Sequence, residues 1–183
     1  MPWAENAFSN LVTNVKVTEL ETPRLLLRPY RAEDRDAFVS LHTDLEVRRH
    51  MNGPLPRQKA ESRFDEILAG TATQRTCWAI IEKETGAVAG HAFLFLDGSH
   101  PFLELGFMFF KTFWGRGFAT EPACRLVENC LRDAGLPGLL ATVDCDHTPS
   151  IRVLEKAGFG KASVAADEFG SYFVYSIHRP NSD

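Results

Sequence analysis

The feature that most limits the architecture is a change of period near residue 117. From Gly117 to Ala134 the apolar residues Ala119, Ala123, Leu126, Val127, Cys130 and Leu131 recur at helical spacing. Pro122 lies in the first turn, where its missing N–H does least harm, and Gly135 suits a C-terminal stop. Two short apolar runs bracket this helix, Phe102–Phe110 before it and Leu139–Val143 after it, and each reads as a strand. Strand, helix and strand in that order make a βαβ unit, whose two strands pair in parallel.

The chain before residue 110 has another rhythm. Arg24–Pro29 is a short apolar run between a proline and a turn. Trp78–Glu82 and Ala87–Leu96 are strand partners across a Thr85-Gly86 turn, which gives an antiparallel meander. Helices are expected over Glu33–Leu41, Lys59–Leu68 and Pro149–Lys156, the last ended by Gly158. Strands near Ala162–Ala165 and Tyr172–His178 close the sheet. The expected fold class is therefore α/β (α+β): a mixed, mostly antiparallel central sheet with flanking helices. Residues 1–20 show no clear period and read as an N-terminal arm. Residues 21–180 read as a single domain, since no repeat or low-complexity linker interrupts them.

Composition narrows the function classes. The 183 residues are 44% hydrophobic and 24% charged, as in soluble globular proteins. A formal net charge of −4 offers no basic footprint, so no nucleic-acid partner is expected. No apolar run reaches the roughly 20 residues a membrane span needs, and Met1–Asn6 lacks the charged start of a signal peptide. The expected location is cytoplasmic. Cys77, Cys124, Cys130 and Cys145 are scattered without a C-x-x-C pair, as reduced cysteines are. Cys145 and His147 sit two apart, but that spacing alone does not make a metal site, and no metal is expected.

The chemistry is concentrated where the meander meets the long helix, at Trp114-Gly115-Arg116-Gly117-Phe118-Ala119-Thr120. Glycines at a helix start let successive N–H groups turn to a common point, and the helix dipole adds positive potential there. Arg116 adds a cation. This suits a phosphate, although a glycine-rich turn can also serve as a turn alone. A P-loop requires Gly-Lys-Ser/Thr where Gly117-Phe118-Ala119 stands, and a dinucleotide fingerprint requires a third glycine where Thr120 stands. Neither nucleotide reading fits.

The same stretch resembles the acetyl-CoA-binding motif of the GNAT superfamily of N-acetyltransferases, written Q/R-x-x-G-x-G/A. Gly117 and Ala119 fill its last two positions, and Trp114 replaces the first. With Glu21–Pro29 before it and Ser150–Phe159 after it, the chain looks like the branch of ribosomal-protein alanine and serine N-acetyltransferases. That resemblance implies a GNAT-like sheet whose central parallel strands splay apart, often at a bulge, for CoA. The implied activity is direct transfer of acetyl from acetyl-CoA to a primary amine, either a protein N-terminus or a small amine. A non-catalytic acyl-CoA-binding regulatory module is the alternative. Homodimers are common in the family.

Position by position, the resemblance implies cofactor contacts from Phe107, Met108 and Phe109, whose backbone would pair with the pantetheine arm, although these aromatics also suit core packing. Trp114, Gly115, Arg116, Gly117, Phe118, Ala119 and Thr120 would hold the phosphates. Glu104 would be the general base, or else a solvated strand carboxylate. His147 stands where the family commonly has an Asn, and suits a pantetheine contact, a helix cap or solvent. Leu154 stands where many branches have a proton-donating Tyr. Ser150 is then the expected donor to the departing thiolate, and it suits a helix-start capping role equally well.

Overall fold

The computed structural model describes residues 15–72, 74–96, 100 and 102–180. Eight strands form one sheet: β1 Leu20–Glu21, β2 Leu25–Arg28, β3 Arg75–Glu82, β4 Val88–Phe95, β5 Leu103–Phe109, β6 Gly138–Asp144, β7 Gly160–Asp167 and β8 Gly170–His178. Their spatial order is β1-β2-β3-β4-β5-β6-β8-β7. Every neighbouring pair is antiparallel except β5 and β6, the two arms of the expected βαβ unit. The helices are α1 Arg35–Thr43, α2 Arg57–Leu68, α3 Thr120–Glu128 and α4 Thr148–Lys156. This is the mixed, mostly antiparallel arrangement the pattern requires. Among the described residues no helix is long and apolar enough to cross a membrane.

Period-2 strands divide their side chains between two faces. Leu103, Leu105 and Phe109 of β5 join Leu139, Ala141 and Val143 of β6 in the core under α3 and α4. The alternate residue Met108 joins Phe38, Leu41 and Phe64 in a second core under α1 and α2. Leu126, Cys130 and Leu131, read from the helical period, are buried in the first core. Burial of each large apolar side chain there is worth on the order of 1.5–3 kcal/mol.

Most element ends move by a few residues from the sequence reading, and the change at the long helix has a clear cause. The long helix begins at Thr120 rather than Gly117, because Gly115 and Gly117 take φ of 71° and 72°, which no helix contains. Its last turn, Asn129–Asp133, widens to a π-helical turn, with Ala134 N–H bonded to Asn129 O at 2.9 Å. The described end of the expected arm is also structured. Val15 is buried, and Leu20–Glu21 pair with Leu26–Leu27 at the sheet edge. The rest of the arm, residues 1–14, lies outside the described residues.

Candidate functional site

β5 and β6 are registered at only two positions, Leu103 with Leu139 and Glu104 with Leu140. Beyond them β5 runs on to Phe109 and β6 to Asp144 without pairing, so the sheet opens into a V. No bulge causes it: β4 and β5 stay in continuous register from Gly90–Phe109 to Phe95–Glu104. The phase of that ladder determines which groups face the gap. Phe110 N–H bonds Ala89 O at 3.0 Å, so alternate β5 residues, Met108 among them, direct their backbone to β4. Phe107 and Phe109 direct theirs into the V. This corrects the expectation for Met108, whose main chain is committed to the neighbouring strand. Trp114, 46% exposed, donates its indole N–H to Phe109 O at 2.8 Å. The tryptophan thus pins the turn to the lip of the V.

The turn itself is a cradle of donors. Among the described residues, no N–H from Gly115 to Ala119 has a main-chain acceptor, and two left-handed glycines alternate with Arg116. Phe118 is buried beneath and anchors the turn, with the Arg24 and Arg116 guanidiniums 4.2 and 4.6 Å from its ring centre. Its side chain therefore serves the core, and only its main chain belongs to the cradle. Arg24 also donates to Arg116 O at 2.9 Å. Glu121, in the first turn of α3, accepts from Thr22 Oγ1 at 2.7 Å and from Arg24 N at 3.1 Å. Burial alone raises Glu121, yet these bonds hold its carboxyl below the usual range. Thr120 opens α3 beside the cradle. Arg24 is ion-paired with Glu121 at 2.5 Å and Arg116 with Glu82 at 3.5 Å, so the N–H groups and the helix N-terminus are the main elements of an anion site suited to a diphosphate.

The face of the V under α1 and α2 carries the remaining polar groups. Glu104 is half-buried and accepts from Thr142 Oγ1 at 2.6 Å across the foot of the V. His50 Nδ1 lies 2.8 Å from Asp144 Oδ2 at the end of β6. The rings of His50 and His147 stack with centroids 4.0 Å apart and an angle of 12°. Burial lowers His147 below the usual imidazole value, His50 adds to this, and Asp144 and Asp146 oppose it. His147 makes no side-chain cap of α4. Ser150, in the first turn of α4, has no hydrogen-bond partner for its hydroxyl among the described residues, while Leu154 is buried. Donor atoms of His50, Asp144 and Asp146 lie within 4.8 Å of one another, which gathers one imidazole and two carboxylates at the end of β6.

His50, Asp144 and Arg24 escaped the sequence reading. His50 and Asp144 are 94 positions apart, and no local spacing joins them. The Glu21–Pro29 block did contain Arg24, but as a family signature rather than as a neighbour of the cradle.

Residues 24–160 match the family model of the acetyltransferase (GNAT) domain. This chain belongs to the GNAT family. An uncharacterised N-acetyltransferase from Bacillus licheniformis, p20, is 31% identical over 155 residues, covering 81% of this chain and 85% of that one. The fold matches spermidine N-acetyltransferase from Vibrio cholerae, solved with CoA and spermine, with a TM-score of 0.74 at 14% identity over 86% of this chain and 97% of that one. It also matches Mycobacterium smegmatis RimJ, solved with CoA-disulfide, with a TM-score of 0.70 at 20% identity over 91% and 90%. The GNAT assignment makes the chain an N-acetyltransferase.

Proposed function

We propose that the chain moves the acetyl group of acetyl-CoA directly to a primary amine. The observation that carries this is the run of unpaired N–H groups from Gly115 to Ala119, set beside the open V of β5 and β6. The diphosphate of CoA sits on that run, with Arg116 and Thr120 beside it. The pantetheine arm enters the V as an added strand, paired to the backbone of Phe107 and Phe109. His147 bounds the arm on the α4 side. That spermidine N-acetyltransferase and RimJ were each solved with CoA or its disulfide supports this donor.

The acceptor enters from the face under α1 and α2. Glu104, the carboxylate that the resemblance implies as general base, is oriented by Thr142 and draws the ammonium to the foot of the V. The ammonium first gives up a proton; the neutral amine then attacks the thioester carbonyl, a C–N bond forms and the C–S bond breaks. Ser150 donates toward the departing sulfur, in place of the tyrosine that Leu154 replaces. Holding amine and thioester together is worth effective molarities on the order of 10⁵–10⁸ M, so positioning dominates. Peptide N-termini and polyamines both satisfy this chemistry.

A thiol-release screen over peptide N-termini and small amines, with acetyl-CoA as donor, tests the reading. Turnover of at least one primary amine is expected. Tight CoA binding without thiol release from any amine would replace it with a non-catalytic acyl-CoA-binding module.

A further inference from the structure

We propose that His50, oriented by Asp144, is the group that takes the proton from the acceptor ammonium; this rests on the acetyl-transfer reading above. The connection between α1 and α2 lies across the mouth of the V like a strap. It is tied to the β5 side by Glu46, bonded to Lys111 Nζ at 2.5 Å, and to the β6 side by His50 on Asp144. Its shape is fixed from within. The nearly buried Arg48 donates to Gly53 O and Met51 O, each at 2.7 Å, Asp44 accepts from Val47 N–H at 2.9 Å, and Asn52 takes a left-handed φ of 59°. His50 is thus held at the gap by its bond to Asp144 and by the internal bonds of the loop that carries it.

The hydrogen bond sets the chemistry of the ring. An ionised carboxylate only accepts, so the proton of a neutral His50 sits on Nδ1, facing Asp144, and Nε2 carries the lone pair. The stacked His147 ring fixes the plane in which that lone pair lies. Asp144 and Thr142 are two apart on β6 and share a face, so His50–Asp144 and Glu104–Thr142 line the same side of the V. A positioned imidazole is the side chain that most often serves as a general base. The side chain of His50 is 24% exposed, so the captured proton has a way out to solvent.

The step balances without a co-reactant. His50 Nε2 takes one proton from the ammonium and later releases it to solvent. The amine nitrogen bonds the acetyl carbon, the C–S bond breaks with its electron pair on sulfur, and the second amine proton reaches that sulfur through Ser150.

The test uses the full chain and the amine it turns over fastest in the screen of peptide N-termini and polyamines. His50→Ala is expected to lower kcat/KM for that amine by about 10²-fold or more. CoA affinity should stay within about threefold, and added imidazole should restore at least about tenfold of the lost rate. His50→Gln, which keeps the slot filled, should lose as much and resist rescue. Asp144→Asn should fall between the unaltered chain and the His50 variants, about tenfold below the former. A loss of less than about threefold in both His50 variants overturns the proposal. So does a His50→Ala loss that imidazole does not relieve while CoA binding and melting temperature are retained. Failure of the unaltered chain to release thiol with any amine is a separate result, and it refutes acetyl transfer itself.

Discussion

Gly117 offers the sharpest test of the cradle, because conformation and space can be separated there. Its φ is 72°, and a Cβ at this position meets only one atom within 4 Å, Arg24 Nη2 at 3.7 Å. Gly117→Ala therefore meets no clash and pays only for a left-handed backbone, about 1–2 kcal/mol. If the turn keeps its shape, melting temperature falls and CoA affinity holds. If it relaxes to escape the strain, the N–H groups diverge and affinity drops about 5- to 30-fold, at about 1.4 kcal/mol per tenfold. Gly117→Glu adds a carboxylate to the same strain. Against a diphosphate charge at about 6 Å, an effective dielectric of about 20–80 makes this worth roughly 0.7–3 kcal/mol of repulsion. Arg24, already paired with Glu121, offsets only a small part of it through Nη2. The expected loss for Gly117→Glu is thus about 2–5 kcal/mol, or roughly 30- to several-thousand-fold. Isothermal titration with CoA, alongside thermal unfolding of each variant, measures both terms. A folded Gly117→Glu chain that binds CoA within about threefold of the unaltered one refutes the placement of the diphosphate.

Trp114→Phe keeps the ring but removes the donor to Phe109 O, and is expected to weaken CoA binding by about 0.5–1.5 kcal/mol with little change in melting temperature. Ser150→Ala should lower kcat while leaving the CoA dissociation constant unchanged; equal kcat in the two chains removes Ser150 from the proton path. The buried imidazoles set an acid limit on stability. Burial lowers His42 to about 3 and holds His91 well below its usual value, with Tyr30 Oη 2.7 Å from His91 Nδ1. Below about pH 6.5 the unfolded chain takes up protons that the folded chain refuses, so stability falls with pH by up to about 1.4 kcal/mol per unit for each ring. Urea midpoints at pH 7, 6 and 5 should therefore decline steeply, and His42→Leu should flatten the slope.

The sheet was readable because its signals are local. The helical stripe from Ala119 to Leu131, the Thr85-Gly86 turn and the apolar runs each declare an element within a dozen residues. Helix boundaries were harder. Ala119 and Thr120 carry the helical period back into the turn, and periodicity says nothing about the positive φ at Gly117 that holds the helix off until Thr120. The role of Met108 was illegible for a similar reason. Phe107, Met108 and Phe109 are equivalent in sequence, and only the Phe110–Ala89 bond shows which of them turn their backbone to β4.

The two halves of the candidate site differ in the same way. The phosphate cradle is one contiguous stretch, since a helix N-terminus and its preceding turn are neighbours along the chain, and so a motif can express it. The acceptor face is assembled by the sheet order. It brings Glu104 to Thr142 across 38 positions and His50 to Asp144 across 94, and neither pair has a spacing that physics would require in advance. The strap from Asp44 to Gly53 then joins both lips of the V through Glu46–Lys111 and His50–Asp144. On the proposed reading, substitution within the strap changes which amine is admitted, and how its proton leaves, while the donor end stays as it is. Such a division lets one cofactor site serve many acceptors, which is why the sequence speaks more clearly about acetyl-CoA than about the amine.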